Sequence, residues 1–178
     1  MERVSGQTLR DFSDAEIFTP LGMTNTFFND NVNDIVPNRA DAYYLMEDGA
    51  FEILMTNLSW VGDGGVYTSL DDFEKWDAAL HTGNVPGGQA VYDLILTPHP
   101  LTVSSDDGDE TGYSFGMFVG TRDGRALRSH SGGWVGFNTF YASFPDDGVS
   151  AVVFCNRPDA MGSRLTGLID LSLQELAD

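Results

Sequence analysis

The stretch Tyr113–Cys155, YSFGMFVGTRDGRALRSHSGGWVGFNTFYASFPDDGVSAVVFC, carries the clearest strand pattern of this sequence. Apolar residues occupy every second position from 113 to 119, and Asp123-Gly124 is a strong two-residue hairpin turn. Segments 137–144 and 149–155 are rich in β-branched and aromatic residues and are joined by a Pro-Asp-Asp-Gly turn. Together these segments predict an antiparallel meander.

Helices are predicted before and after the meander in the sequence. Residues 7–18 have apolar residues at helical spacing, with Ser5 as the N-cap. Ser69 opens a second helix that runs through Leu80, with an Asp three residues after the cap in a variant of the capping box. Beyond Pro158 one apolar stripe predicts a closing helix over the sheet, formed by Leu165, Leu168, Ile169, Leu173 and Leu176.

The remaining segments are predicted as loops, because 23–65 is rich in Asn and Asp and 104–110 is acidic. The fold class is therefore α+β: an antiparallel sheet meander with a C-terminal helix, plus a loop-rich helical lobe. We expect a single domain over 1–178, with the helical and loop lobe in 1–100 and the sheet and closing helix in 101–178.

The charge balance excludes several classes of partner. The 178 residues carry 27 acidic and 9 basic side chains, a net charge of −18, which would repel a phosphate backbone or an anionic membrane surface. No stretch approaches the roughly 20 apolar residues of a membrane helix. The acids are 20 Asp and 7 Glu, and Lys75 is the only lysine. This composition is typical of proteins from salt-loving microbes, although a general need for solubility would favour it too.

Other features suggest neither a cofactor nor a metal. Cys155 cannot form an internal disulfide, and its apolar surroundings predict a buried, inert thiol. His81, His99 and His130 lack the spacing of metal ligands, so we expect no zinc site. The N-terminus lacks the pattern of a secretory signal, which gives a cytoplasmic location by default.

The segment Gly112–Gly116, GYSFG, matches the Gly-x-Ser-x-Gly pattern of a nucleophile elbow. An elbow serine sits on a sharp turn from a strand to a helix, whereas Ser114 is predicted inside a strand that runs into a hairpin. With Asp123 and His130 the triad would also lie within 17 residues, which leaves no room for intervening strands. We interpret Ser114 as a strand residue that faces solvent.

The segment His130–Gly133, HSGG, is predicted just before a strand and across a hairpin from another. Backbone N–H groups at such a place can point out of a sheet edge into a cleft, and glycines allow a ligand to approach the backbone closely. A Gly-Gly turn with an exposed histidine would have the same sequence, so both interpretations stay open at this point.

Five stretches, taken in chain order, resemble one known family. They are Val4-Ser-Gly with IFTPLGMTNT (17–26), GGVYTSLDDF (64–73), GYSFGM (112–117), HSGGWVGF (130–137) and VVFCN (152–156). The chain resembles the serine β-lactamase-like hydrolases, which include class C β-lactamases, D,D-peptidases, D-aminopeptidases and family VIII esterases. The likeness spans nearly the whole chain and implies the C-terminal part of the β-lactamase/penicillin-binding-protein fold.

The resemblance implies a mechanism in which an activated serine attacks an ester, lactam or D-amino peptide and forms an acyl-enzyme. The family's Lys/His-Thr/Ser-Gly motif lines the cleft on an edge strand, and here it would be His130-Ser131-Gly132. By resemblance, Ser131 would bind a substrate carboxylate or carbonyl, and His130 would supply polarity or positive charge. The backbone N–H of Gly133 would form one arm of the oxyanion hole.

The family's nucleophile and base motifs do not occur in this sequence. Ser-x-x-Lys is excluded because residue 72, three before the lone Lys75, is Asp, and no Tyr-x-Asn or Ser-x-Asn is found. We therefore expect the C-terminal portion of such an enzyme, inactive alone. Its other half would lie on the same or another chain, or the uncovered sheet would self-associate. The alternative is a non-catalytic binding or interaction remnant of the fold.

Overall fold

The computed structural model describes residues 1–57, 59–106 and 109–158, together with Gly167. The chain divides into two compact units. The helical unit comprises Met1–Pro37 and Asn57–Tyr92, and the sheet unit comprises Asn38–Thr56 and Asp93–Asp178. The predicted closing helix, 165–176, lies outside the described residues apart from Gly167.

The helical unit is built on short helices and one small strand pair. The helices are α1 (Glu2–Ser5), α2 (Leu9–Ser13), a π-helical turn that continues α2 (Asp14–Phe18) and α3 (Leu70–Thr82). Strand β1 (Phe27–Phe28) pairs antiparallel with β4 (Val66–Tyr67). A further helix, α4 (Gly88–Leu96), begins in the helical unit and ends in the sheet unit, and the sequence pattern did not predict it.

The predicted N-terminal helix is present over 9–18, but its predicted cap is wrong. The side chain of Thr8 caps α2 by accepting a hydrogen bond from the Asp11 backbone N–H at 3.0 Å. Ser5 instead ends α1, and its hydroxyl donates to the Met1 carbonyl. Thr8 has the extended backbone that a cap requires, whereas Ser5 is already helical.

The predicted cap of α3 is confirmed. The Ser69 hydroxyl accepts a hydrogen bond from the Asp72 backbone N–H at 3.3 Å, and Gly83 ends the helix in the left-handed conformation, φ 72°.

The Asp72 carboxylate does not face solvent but is fully buried. Its Oδ2 accepts hydrogen bonds from the Asn25 backbone N–H at 2.6 Å and the Thr26 hydroxyl at 2.9 Å. Its Oδ1 accepts one from Lys75 Nζ at 2.7 Å. Burial raises the pKa of Asp72, but the hydrogen bonds from these three residues outweigh it and hold the pKa below its usual range. The carboxylate thereby ties α3 to residues 25–26.

The sheet unit contains the predicted antiparallel meander, which confirms the α+β class. Six strands lie in the order β10-β9-β8-β7-β6-β5, so that each pairs with its neighbour in sequence. They are β5 (Ser104–Asp106), β6 (Asp109–Tyr113), β7 (Phe118–Arg122), β8 (Arg125–Trp134), β9 (Phe137–Phe144) and β10 (Val149–Cys155). A separate hairpin pairs β2 (Tyr43–Leu45) with β3 (Phe51–Ile53).

One face of the sheet carries an apolar core. Ala142 and Phe144 are almost fully buried, and Leu127 and Phe140 pack against them. Because β-strand side chains alternate between the two faces, the registers of β8 and β9 place these four residues on the same side.

Three sequence-based predictions are corrected here. The segment 23–65 is not all loop, since it holds β1, β2 and β3, which are too short to show a periodic pattern. The acidic segment 104–110 supplies the edge strand β5 and the start of β6, where the Asp109 carboxylate accepts hydrogen bonds from the backbone of residues 123 and 124. Cys155 is only partly buried, and its thiol donates to the Arg157 carbonyl at 3.6 Å.

Candidate functional site

The HSGG segment lies within β8 and not before it. Taken as a whole, β8 is an interior strand, with β7 on one side and β9 on the other. The β7–β8 pairing ends at Phe118 and Ser129, however, whereas the β8–β9 pairing continues to Trp134 and Phe137. Residues 130–134 therefore extend beyond β7 and pair only with β9 among the described strands. The expected edge exists, but only over this half of the strand.

The two registers decide which backbone groups face the open side. Residues that flank a two-residue hairpin turn exchange both hydrogen bonds, and the pattern alternates along the ladder. Trp134 flanks the turn to β9, so Gly132 and His130 also direct their N–H and C=O groups toward β9. Ser131 and Gly133 direct theirs to the opposite side, where β7 has ended. Residues 131–134 are also exposed to solvent.

The two glycines of this segment leave little space for side chains. A Cβ on Gly132 would lie 2.5 Å from Thr139 Oγ1, and one on Gly133 would lie 3.2 Å from Asn138 Oδ1. Both neighbours are on β9. A ligand can therefore approach the backbone of 132–133 without a side chain of β8 in between.

The His130 imidazole lies in a cluster of three rings. The Tyr113 phenol oxygen and His130 Nε2 are 3.1 Å apart and share a hydrogen bond. The Phe118 ring stacks on the imidazole with centroids 5.8 Å apart, and it meets the Tyr113 ring edge-on at 4.9 Å. Tyr113 was not predicted as a site residue, because its contact with His130 joins residues 17 apart on strands that are not adjacent.

The turn from β8 to β9 is sterically tight. Val135 has φ 47°, a left-handed conformation that is an outlier for a β-branched residue. A Cβ at Gly136 would overlap both the Ala42 side chain and the Leu54 carbonyl oxygen. The close fit of Gly136 holds this turn against residues 42 and 54. The turn directly follows the open half of β8 in the chain.

Ser114 does not lie inside a strand, contrary to the sequence-based prediction. It belongs to the turn between β6 and β7, where its backbone N–H donates to the Met117 carbonyl at 2.8 Å. Its hydroxyl donates to the Leu94 carbonyl at 3.0 Å. A carbonyl cannot accept the proton of a nucleophile during attack, and the turn leads into a strand and not into a helix. The geometry is not that of a nucleophile elbow.

The Asp123-Gly124 turn is fixed by a carboxylate. Asp109 accepts hydrogen bonds from the backbone N–H groups of Asp123 at 2.8 Å and Gly124 at 3.2 Å. These two bonds hold the pKa of Asp109 below its usual range. They anchor the β7–β8 hairpin to the start of β6.

The helical unit has a depression of about 480 Å³ lined by Arg10, Phe27, Asp34, Ile35, Val36 and Pro37. The Arg10 guanidinium bonds Asp30 at 2.9 Å and Asp34 at 3.4 Å and lies over the Phe27 ring. Hydrogen bonding to Asp30, and to a lesser extent to Asp34, raises the pKa of Arg10. Because two carboxylates already neutralise this cation, the depression does not have the character of an anion site.

Neither a candidate metal centre nor a helix able to cross a membrane occurs among the described residues. No group of three or more His, Cys, Asp or Glu side chains is placed there to hold a metal ion. No described helix combines the length and the apolar character that crossing a bilayer would require.

Comparison with known proteins agrees with the motif-based resemblance. A family model described as Beta-lactamase matches residues 1–174. A D-aminopeptidase of Gluconobacter oxydans is 25% identical over 157 residues, which cover 88% of this chain and 29% of that protein. Penicillin-binding protein 4* of Bacillus subtilis is 27% identical in an alignment of length 179 that covers 89% of this chain and 37% of that protein.

The fold also has relatives among solved structures. The octameric penicillin-binding protein homologue from Pyrococcus abyssi superposes with a TM-score of 0.72 at 21% identity, covering 88% of this chain and 35% of that one. The chain thus spans about a third of the length of the relatives named here. The fold of this chain therefore matches that of the Pyrococcus protein. Because the Beta-lactamase family model also covers nearly every residue, this chain belongs to the Beta-lactamase family.

Proposed function

We propose that residues 130–133 form the substrate-binding wall of an acyl-transfer site, with the nucleophile and the general base supplied by residues outside this sequence. One observation carries the proposal. Ser131 and Gly133 direct their backbone N–H groups to the side of β8 where β7 has ended, and both residues are exposed.

The chemistry follows from where charge develops during acyl transfer. Attack on a carbonyl places negative charge on its oxygen, and rigid N–H donors stabilise that charge better than mobile water does. The Gly133 N–H would donate to this oxyanion, and the Ser131 hydroxyl would bind a carbonyl or carboxylate of the substrate. His130 would contribute a further polar group beside them.

The substrate class that we propose is an amide, ester or lactam, with a D-amino amide or peptide favoured. The name of the Gluconobacter relative, D-aminopeptidase, supports that choice. The net charge of −18 supports a neutral or cationic substrate over a polyanionic one.

The chain on its own is proposed to be inactive. Its lone lysine cannot activate a serine in a Ser-x-x-Lys motif, because Lys75 Nζ is bonded to Asp72 at 2.7 Å and to the Gly22 carbonyl at 2.6 Å. We expect fluorophosphonate and penicillin reagents to leave the purified chain unlabelled by intact-mass measurement. Stoichiometric labelling of any serine would overturn this part of the proposal.

Recognition by the β8 wall is tested by calorimetry with D-alaninamide. We expect saturable binding that is lost in Ser131→Ala and retained in Ser129→Ala. Ser129 is a matched control, since it is two residues away on the same strand but still pairs with Phe118 of β7. Equal loss in both variants, or no binding by the wild-type chain, would contradict the proposed role of the open half of β8.

A second candidate is a non-catalytic binding module, in which the N–H groups of Ser131 and Gly133 would bind a ligand and no nucleophile would attack it. Reading the DNA upstream of the Met1 codon in the same frame separates the two. An open frame that encodes Ser-x-x-Lys and Tyr-x-Asn, together with amide hydrolysis by the extended protein, supports the enzyme. Binding without hydrolysis by the extended protein supports the module.

A further inference from the structure

We propose that Tyr113 is a positioning residue for His130: its phenol donates to Nε2 and thereby keeps the imidazole proton on Nδ1. This inference rests on the proposed function, in which His130 belongs to the substrate-binding wall. Tyr113 itself is not assigned any contact with substrate.

The direction of the hydrogen bond follows from the two groups. The oxygen and Nε2 are 3.1 Å apart, and either could donate. A phenol O–H is a stronger donor than a neutral imidazole N–H, and an imidazole nitrogen is a stronger acceptor than a phenol oxygen. The favoured arrangement therefore has Tyr113 as donor and Nε2 as acceptor, which leaves the proton of a neutral imidazole on Nδ1.

The backbone of Tyr113 is anchored at both its N–H and its C=O, and this anchors the segment that carries the phenol. Its N–H donates to Thr102 Oγ1 at 2.8 Å, and its carbonyl accepts from the His99 N–H at 2.9 Å. Gly112, just before it, packs so closely on Pro98 that a Cβ would lie 2.6 Å from that ring. These contacts hold the end of β6 against residues 98–102.

The topology explains why Tyr113 meets His130. Tyr113 ends β6 and pairs with Phe118, which begins β7, and Phe118 pairs with Ser129 of β8. His130 is the first residue of β8 beyond that ladder. The two residues that flank the β6–β7 turn, Tyr113 and Phe118, therefore lie where they contact His130, the first residue of the open half of β8.

The two aromatic rings limit how the imidazole can turn. Phe118 stacks on it at an interplanar angle of 24°, and the Tyr113 ring lies 5.8 Å away at 51°. Stacking restricts the plane of the ring, but only the hydrogen bond selects which nitrogen carries the proton. Removing the phenol oxygen alone thus separates the two effects.

The test is the protonation state of each imidazole nitrogen, measured by long-range ¹H–¹⁵N correlation at a pH where histidine is neutral. We expect the wild-type chain to show His130 with the proton on Nδ1. Tyr113→Phe should shift it toward the Nε2–H form that free histidine prefers. His81 and His99 are internal controls and should not change. Tyr44→Phe, at an exposed tyrosine of β2, is the matched control variant.

The same variants are titrated with D-alaninamide. Losing one positioning hydrogen bond should weaken binding by roughly 2- to 10-fold in Tyr113→Phe and leave Tyr44→Phe unchanged. An unchanged His130 tautomer, or a changed tautomer with unchanged affinity, would overturn the role of Tyr113. If the wild-type chain binds no amide, the proposed function fails, and the tautomer comparison alone then decides whether Tyr113 positions His130.

Discussion

Replacing Asp72 by asparagine tests whether a buried carboxylate holds the helical unit together. Asparagine has nearly the shape of aspartate, and its amide oxygen can still accept the hydrogen bonds from Asn25 and Thr26, but it carries no negative charge. Hydrogen bonds to a charged group contribute roughly 1.5–3 kcal/mol and neutral ones roughly 0.5–1.5 kcal/mol, so each of the two weakens by about 1 kcal/mol. The ion pair with Lys75, whose side chain is 42% exposed, adds about 0.5 kcal/mol. The expected loss in unfolding free energy is about 2.5 kcal/mol.

The pH dependence gives the result a second signature. The pKa of Asp72 is lower in the folded chain than in the unfolded one. The ionised carboxylate therefore stabilises the fold at pH values above about 4, and this contribution is lost as the pH falls through the folded-state pKa. The difference between the wild-type chain and Asp72→Asn should accordingly be full at pH 7 and shrink on acidification.

Urea unfolding followed by circular dichroism at pH 7 and pH 3 measures both effects. With a slope of about 2 kcal/mol/M, the midpoint of Asp72→Asn should fall by about 1 M at pH 7. Asp71→Asn is the control, because Asp71 is in the same helical turn but exposed. The reasoning is refuted if Asp71→Asn costs as much, or if the Asp72→Asn difference is the same at both pH values.

Three further predictions concern the sheet unit and its turns. Gly136→Ala should lower the unfolding free energy, measured in urea, by about 3 kcal/mol, because the new Cβ would overlap the Ala42 side chain and the Leu54 carbonyl oxygen. Gly64→Ala is the control and should cost almost nothing, since the space around its Cβ is open. Equal losses in the two variants would contradict the clash. Val135→Gly should stabilise the chain by about 0.5–1 kcal/mol, since relief of the left-handed strain exceeds the added chain entropy; a loss of stability would show that no strain is stored there. In NMR, the Gly124 amide shift should titrate with a midpoint below the usual Asp value of about 3.9, because Asp109 accepts from that N–H. The step should disappear in Asp109→Asn, and a midpoint at or above 3.9 would contradict the assignment.

Local signals in the sequence were sufficient for the parts of the fold that local chemistry controls. The Asp123-Gly124 turn and the strands at 137–144 and 149–155 were predicted from turn residues and composition, and the structure confirms them. The Ser69 cap was predicted for the same reason, since a cap joins residues three apart. The cap of α2 was misplaced because Ser5 and Thr8 are both competent residues, and only the backbone conformation distinguishes them.

The candidate site was predicted only in part. The His-Ser-Gly-Gly segment was singled out from its sequence, but its position inside β8 was not foreseen. Whether residue 131 or 133 meets a neighbouring strand depends on where β7 begins, at least 13 residues earlier in the chain. The periodicity of the sequence does not predict where β7 begins, because its first residue is set by the turn at 114–117.

By itself, therefore, the sequence determined the meander, the capped helix α3 and the family, all of which rest on short motifs whose residues are near one another in the chain. Only the tertiary structure decided that β8 is open from residue 130 onward, that Tyr113 bonds His130, and that the Asp72 carboxylate faces inward. Each of these depends on contacts between residues distant in sequence. Such contacts are fixed by how whole elements end and pack, which no local pattern encodes.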